Sequence, residues 1–393
     1  MVKTKEQNAE VIVVGSGPAG AFTATLLAKK NHDVLLIDKD DFPRDKICGD
    51  ALPAKALELL YNAGMGKAID EAVENGEIYP LDYMRLVSPK GHQRSYPLTK
   101  SAGGYNAAVA PRIIFDSLIR NEAIRSGANI LKATVEKPII ENNLVTGVKL
   151  RNGQKSDEIR AKIVIGADGA ASNLARALRA DKRHTNTHRA IAIRAYVENI
   201  ELYPHEVEFY IYDSILPGYA WIFPLSDNRA NIGLGMRLDH FHSEHRDLKK
   251  LLQLFLNLPL IKHRLKPGFT LENIASWPLN FGSQEGLEYA FPGALLVGDA
   301  GGFISPLTGG GINRSLLSGQ LAAEIVHEAL IKDDPSLNTL GRYEELCRRE
   351  LQKSLRKNYY LTNTLFHLPG LVDLFVRNLN QNNPLASAFI GKL

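Results

Sequence analysis

A short apolar run, Val11-Ile12-Val13-Val14, leads straight into Gly15-Ser16-Gly17-Pro18-Ala19-Gly20, then into the helix-forming stretch AFTATLLAKK and a second apolar run ending on Asp38. β-Branched residues favour the two flanking strands, while alanine and leucine favour the helix between them. The turn has G-x-G-x-x-G spacing, and Asp38 stands 18 residues beyond its last glycine. Gly15, Gly17 and Gly20 permit the tight turn and let the backbone approach a pyrophosphate at the helix N-terminus, with Ala19 in the same turn. Asp38 is placed to accept hydrogen bonds from a ribose. The whole unit predicts dinucleotide binding within an α/β fold.

Two later segments read as returns to the same parallel sheet. Residues 163–172, IVIGADGAAS, form a buried strand running into a glycine turn that contains Asp168, and residues 294–299, ALLVGD, form another ending on Asp299. A helix follows from Ile312 to about Leu330, opened by Gly309-Gly310-Gly311. Between these returns the pattern changes. Two extended runs around 83–98 flank Pro89-Lys90-Gly91, a hairpin signal, and the alternation in AIAIRAYV, VEFYIY and YAWIFP between 188 and 235 predicts antiparallel strands. The expected architecture is a discontinuous Rossmann-like dinucleotide-binding domain (residues 1–80, 105–182 and 286–330). An antiparallel β-sheet substrate domain (81–104 and 183–285) is inserted into it, and a helical segment (331–393) follows. At 393 residues the chain is too long for one ordinary single-core domain.

Composition excludes several classes. The chain is 45% hydrophobic and 23% charged, the balance of a globular protein. No apolar run approaches the roughly 20 residues a membrane span needs. The polar start MVKTKEQNAE lacks a signal-peptide pattern, and two cysteines, Cys48 and Cys347, make no disulfide framework, so a cytoplasmic location is expected. The net charge of +4 resides in residues 341–393, which hold eight Lys/Arg and four Asp/Glu. That is too little for a nucleic-acid footprint and is either a solvated helical face or a contact with an anionic membrane. His240, His242 and His245 are interleaved with Asp239, Glu244 and Arg246 as in a solvated loop, and no metal site is expected.

Four matches in order give the chain a resemblance to the FAD-dependent geranylgeranyl reductases, within the flavoprotein superfamily of the aromatic hydroxylases. The first is the dinucleotide turn with Asp38, where many relatives carry Glu; either carboxylate serves a ribose hydroxyl. The second is Phe42-Pro43-Arg44-Asp45-Lys46-Ile47-Cys48-Gly49-Asp50, similar to the P-x-x-x-x-C-G-D element of these reductases. The third is Gly166-Ala167-Asp168-Gly169 together with Gly298-Asp299, and the fourth is Tyr219-Ala-Trp221-Ile-Phe223-Pro224 followed by Gly233-Leu-Gly235.

The resemblance implies bound FAD. It implies cofactor contacts from Gly15, Gly17, Ala19, Gly20, Asp38, Arg44, Cys48, Gly49, Arg112, Val135, Asp168, Asp299, Gly310, Gly311 and Ile312. Arg112, at a helix start, suits a pyrophosphate because its planar fork bonds bidentately. The free N–H groups at 309–311 suit negative charge at the flavin N1–C2=O locus. Tyr219, Trp221 and Phe223 fall on one face of a strand and would line a channel for an isoprenoid chain, or else form ordinary strand core. Cys48, Tyr219 and Trp221 are the implied catalytic residues. Saturating an isolated C=C bond of a geranylgeranyl-type chain requires hydride delivery from reduced FAD coupled to a proton, from Cys48 or an ordered water, with aromatic faces stabilising cation character. No second dinucleotide turn is present, so electrons are expected from a visiting NADPH or a reduced ferredoxin-like protein. A flavin monooxygenase or halogenase is the alternative on this fold, and a non-enzymatic prenyl-binding escort protein a further one.

Overall fold

A computed structural model describes residues 8–98, 104–152, 155–180, 182–366 and 368–378. Among these, eight strands form one sheet. Its parallel run is Ala294–Leu296, Lys155–Gly166, Asn8–Val14, Val34–Asp38 and Asn129–Lys132, in that spatial order. Successive side chains on a strand point to opposite faces, and both faces here are buried. Val11, Val13, Val34 and Leu36 join one core cluster, which includes the helices Pro18–Ala28 and Ile312–Lys332, whereas Ile12, Val14, Leu35 and Ile37 join another. This is why the two runs are continuously apolar rather than alternating.

The second core cluster is closed by strands that the sequence pattern did not announce. Thr134–Glu141 pairs antiparallel with Leu144–Asn152, which in turn pairs antiparallel with the long strand Lys155–Gly166. Lys and Glu break up their apolar alternation, and the turn between them rests on Asn142 and Asn143, both at positive φ (50° and 63°), a conformation asparagine tolerates.

Seven strands form a second sheet in the order Leu265–Asn280, Arg189–Ile200, Arg229–Arg237, Gly218–Pro224, Glu206–Tyr210, Tyr83–Val87 and Gln93–Pro97. All neighbours are antiparallel except Glu206–Tyr210 and Tyr83–Val87. The expected hairpin is present, with Val87 opposite Gln93 and Gly91 at φ 81°. The strand Leu265–Asn280 was not expected; most of its residues are at least partly exposed, so it lacks a buried apolar signature. Three short strands, Ala51–Pro53, Ala107–Val109 and Tyr79–Leu81, make a third sheet.

Two local expectations are corrected. Asp299 does not end a strand: the strand stops at Leu296, Gly298 turns the chain at φ 57°, and Asp299 lies in the one-turn helix Gly298–Gly301. His240 and His242 lie in the short helix Leu238–Ser243 rather than a loop, with His245 beyond it, and no cluster of metal-ligating side chains occurs among the described residues. The C-terminal part contains the helices Leu337–Cys347, Lys353–Phe366 and Pro369–Asn378. The last buries Val372 and Val376 and exposes Leu371 and Leu374. Residues 379–393, with Lys392, lie outside the described residues. No helix among the described residues is long and apolar enough to cross a membrane.

Candidate active site

A continuous cavity of about 1170 Å³ lies between the two large sheets. Its wall includes the dinucleotide turn, the 44–50 segment, the Gly309–Ile312 turn and the aromatic strand. Every site residue expected from the sequence lies on that wall except Gly20. Gly20 sits beneath the turn: a Cβ there would collide with the carbonyl of Gly15, and one on Gly15 (φ 103°) would collide with the carbonyl of Ala167. Gly20 lets the helix Pro18–Ala28 dock against its own entry loop, and Gly15 lets that loop pass close to Ala167.

These residues fit an FAD. The first-turn N–H groups of the helix Pro18–Ala28 have no intrahelical partners and form an anion-ready surface. An added Cβ on Gly17 would find only Arg44 Nη2, at 3.9 Å, so backbone and guanidinium face one space. Asp38 is oriented by the Ser16 N–H at 2.5 Å and the Asp40 N–H at 3.0 Å, each of its oxygens keeping a further lone pair. Val135 contributes to the wall and uses its carbonyl to accept from Asn173 Nδ2 at 3.2 Å. Across the cavity, Gly311 opens the 21-residue helix Ile312–Lys332, so Gly310, Gly311 and Ile312 present the positive end of a long helix dipole.

Two of the implied ligands also make hydrogen bonds within the protein. The fork of Arg112 is taken by Asp116, through Nε at 2.6 Å and Nη2 at 2.7 Å, and Arg44 Nη1 joins the same carboxylate at 3.1 Å. Arg112 is buried, its Nε/Nη2 edge is paired with Asp116, and it lines the cavity beside Cys48. Burial acts against its charge, but Asp116 more than offsets this and holds the Arg112 pKa above the ordinary value. Asp168 caps the helix Asn173–Leu178: its carboxylate accepts from Ser172 Oγ and from the Asn173 N–H at 2.8 Å.

Cys48, Gly49 and Asp50 meet the aromatic strand through Asn231. The indole Nε1 of Trp221 donates to Asn231 Oδ1 at 2.9 Å, and Asn231 Nδ2 donates to the Cys48 carbonyl and to Asp50 Oδ2, each at 2.7 Å. Tyr196 Oη donates to Asp50 Oδ2 at 2.8 Å. Gly49 lies against Phe223, whose ring an added Cβ would touch at 3.0 Å. Tyr219 hydrogen-bonds the Thr308 carbonyl, joining the strand to the glycine turn. The rings of Tyr219, Trp221 and Phe223 follow one another at 6.0 and 6.1 Å between centroids, while Ala220 and Ile222 pack into the opposite cluster.

Burial pushes the Cys48 thiol up, against the Arg112 guanidinium beside it. Burial likewise raises Asp50 to about 7 despite the hydrogen bonds from Asn231 and Tyr196, and raises Asp299 despite the nearby Lys46 and Arg112. Lys46 is lowered to about 8, chiefly by burial, with Asp299 acting to raise it; its Nζ sits 3.4 Å over the Trp277 ring. Burial thus favours the neutral forms of Cys48, Asp50 and Asp299, next to an apolar wall.

Sequence reasoning missed Lys46, Asp50, Tyr196 and Asn231 as neighbours of the motif residues. Lys46 and Asp50 stood in the quoted motif without a role. Asn231 gave a usable signal, a lone amide between the apolar residues of ANIGL, since buried amides require partners.

Comparison with known proteins agrees with this geometry. A family model described as an FAD-binding domain matches residues 8–357. A digeranylgeranylglycerophospholipid reductase of Methanocella arvoryzae is 32% identical, over 89% of this chain and 85% of the relative. One of Methanospirillum hungatei is 30% identical, over 98% and 96%. The crystal structure of a geranylgeranyl bacteriochlorophyll reductase-like protein from Thermoplasma acidophilum superposes with a TM-score of 0.84 at 26% identity, covering 98% of this chain and 96% of the other. The chain belongs to the FAD-binding-domain family and is an FAD-dependent oxidoreductase of the geranylgeranyl reductase type.

Proposed function

We propose that this enzyme saturates isolated C=C bonds of a geranylgeranyl-type prenyl chain carried by a lipid. The observation that carries the reading is the joining, in one cavity, of the dinucleotide turn to a wall of Tyr219, Trp221 and Phe223 beside Cys48. A prenyl chain offers apolar surface and double bonds without a carbonyl to absorb negative charge. Its binding rests on buried area, on the order of 0.8 kcal/mol per CH2. Bound FAD, once reduced, supplies the hydride. Cys48, kept as a thiol, gives the proton, and the rings of Trp221 and Tyr219 stabilise the developing cation. Names of relatives that specify a glycerophospholipid support a lipid substrate.

The proposal extends to the remaining parts of the molecule. Residues 1–80, 105–182 and 286–330 hold the cofactor, and 81–104 with 183–285 form the substrate wall. NADPH or a reduced ferredoxin-like protein delivers electrons. The exposed Leu371 and Leu374, with Arg377 in the last turn of their helix, meet the surface of an anionic membrane that carries the substrate.

The test is anaerobic. Protein with chemically reduced flavin is mixed with a geranylgeranyl lipid, and flavin reoxidation is followed alongside the mass of the lipid. Reoxidation with a gain of two hydrogens per double bond is expected. Reduced flavin that persists until oxygen is admitted, with an oxygenated product, would assign the protein to the monooxygenases.

A further inference from the structure

We propose that Asp50 is the proton store of the site: a buried carboxyl, gripped at one oxygen by Asn231 and Tyr196, that governs the charge of Cys48 and returns the proton the thiol gives up. The first argument is the asymmetry of its hydrogen bonds. Oδ2 receives two donors, at 2.7 and 2.8 Å, while Oδ1 is buried with no partner. The donors are fixed in direction. An indole N–H can only donate, so Trp221 obliges Asn231 to present Oδ1 to it and Nδ2 to Asp50. Burying an ionised carboxylate with one oxygen lacking any donor costs more than burying the neutral acid, even though the acid's hydroxyl at Oδ1 then also lacks an acceptor among the described residues.

The second argument is the commitment of nearby cations. Arg194 lies 4.4 Å over the Tyr196 ring, but its Nη2 is held by Asp45 at 2.7 and 2.9 Å. Arg112 is paired with Asp116 and also reaches Cys48 by a hydrogen bond, but not Asp50. Tyr196, Arg194 and Arg112 are thus the titratable or charged groups facing Asp50 from the elements around it, with Cys48 on its own segment, and none forms an ion pair with it. Lys46 and Tyr219 face Cys48. Burial and the charge of Asp50 both act against a thiolate at Cys48 while Arg112 acts for it, so an ionised Asp50 makes Cys48 harder to deprotonate.

The relay step rests on the reductase reading; the charge coupling does not. In the relay, the Cys48 S–H bond breaks as a C–H bond forms on the alkene, leaving a thiolate, while the hydride from reduced FAD forms the second C–H bond. The Asp50 O–H bond then breaks and S–H is restored. The resulting carboxylate takes a proton from water.

Two measurements on the purified full-length protein test this. Infrared titration of the wild type is expected to show a protonated-carboxyl band that disappears with a midpoint of about 7 and is missing from Asp50→Asn. Alkylation of Cys48 by iodoacetamide, located by peptide mass mapping, is expected to run about tenfold faster in Asp50→Asn above neutral pH, because one unit of thiol pKa is a factor of ten in thiolate. Coinciding alkylation profiles, or absence of the band in mildly acidic solution, overturn the proposal. If Asp50→Asn does not fold, Tyr196→Phe replaces it: losing one donor to Oδ2 must move the band's midpoint upward, and an unmoved midpoint overturns the proposal. Failure of the wild type to saturate any prenyl lipid removes the reductase reading and the relay with it, whereas coinciding profiles in an active enzyme remove only the role of Asp50.

Discussion

The indole N–H of Trp221 and the side-chain oxygen of Asn231 lie 2.9 Å apart, both buried, on neighbouring antiparallel strands. The bond sets the amide's orientation, and so fixes which groups of the 48–50 segment it can hold. Replacing Asn231 with Leu leaves the indole N–H and the Cys48 carbonyl unpaired. A loss of about 1–3 kcal/mol for each is expected, read as a lower urea midpoint at unchanged m-value.

Removing the thiol separates chemistry from cofactor retention. Cys48→Ala is expected to lower the rate of prenyl saturation by about 10²-fold, the lower end for a lost general acid. Flavin content, measured by release of FAD on denaturation, should equal that of the wild type. Unchanged turnover would remove Cys48 from the proposed mechanism.

Asp116, itself fully buried, compensates two cations, Arg112 and Arg44. Asp116→Ala strands at least the buried guanidinium of Arg112. It is expected to cost about 3–5 kcal/mol, most of it recovered when Arg112 is also changed to Met. Chemical denaturation of the two single variants and the double variant gives the coupling directly.

Gly20 is the member of the dinucleotide turn that does not line the cavity. Gly20→Ala nevertheless forces the helix Pro18–Ala28 off the Gly15 carbonyl. The variant is expected to be purified with less flavin than the wild type, and to show a lower melting temperature even after flavin has been stripped from both.

Stability should depend on pH through Asp50. Its pKa rises from the usual 3.8 to about 7 on folding. The folded state therefore holds this proton more tightly than the unfolded chain. The stabilisation is fully present below pH about 4, is lost as pH rises through about 7, and amounts to something on the order of 2–4 kcal/mol. Thermal unfolding of Asp50→Asn should lose that part of the pH dependence; parallel curves for the two proteins would contradict it.

The dinucleotide half was legible because its signal is local. Continuous β-branched runs, a glycine turn and a terminal carboxylate all lie within residues 11–38, and each follows from a requirement of backbone geometry. The alternating strands between 188 and 235 were legible for the same reason. Leu265–Asn280 was not, since half-exposed strands carry a weak apolar period. At the site, the motif residues converge on one cavity wall, but the motifs do not name their partners. Asp116 stands four residues after Arg112 on one helix, a spacing that pattern rules do pair, whereas nothing near Asp50 announces Tyr196. A pairing of the latter kind is set by packing between distant segments, which pattern rules do not address.

The hydrogen bonds around Asp50 span long stretches of chain: Asn231 reaches back 183 residues to Cys48 and 181 to Asp50, and Tyr196 reaches back 146. The first βαβ unit, by contrast, closes within a few tens of residues. Contacts that close large loops form late, since the entropy of closure is met before they return any stabilisation. A nascent chain therefore acquires its dinucleotide turn well before its acid pair is assembled. Refolding followed by flavin fluorescence and refolding followed by Cys48 protection should separate into an early and a late phase.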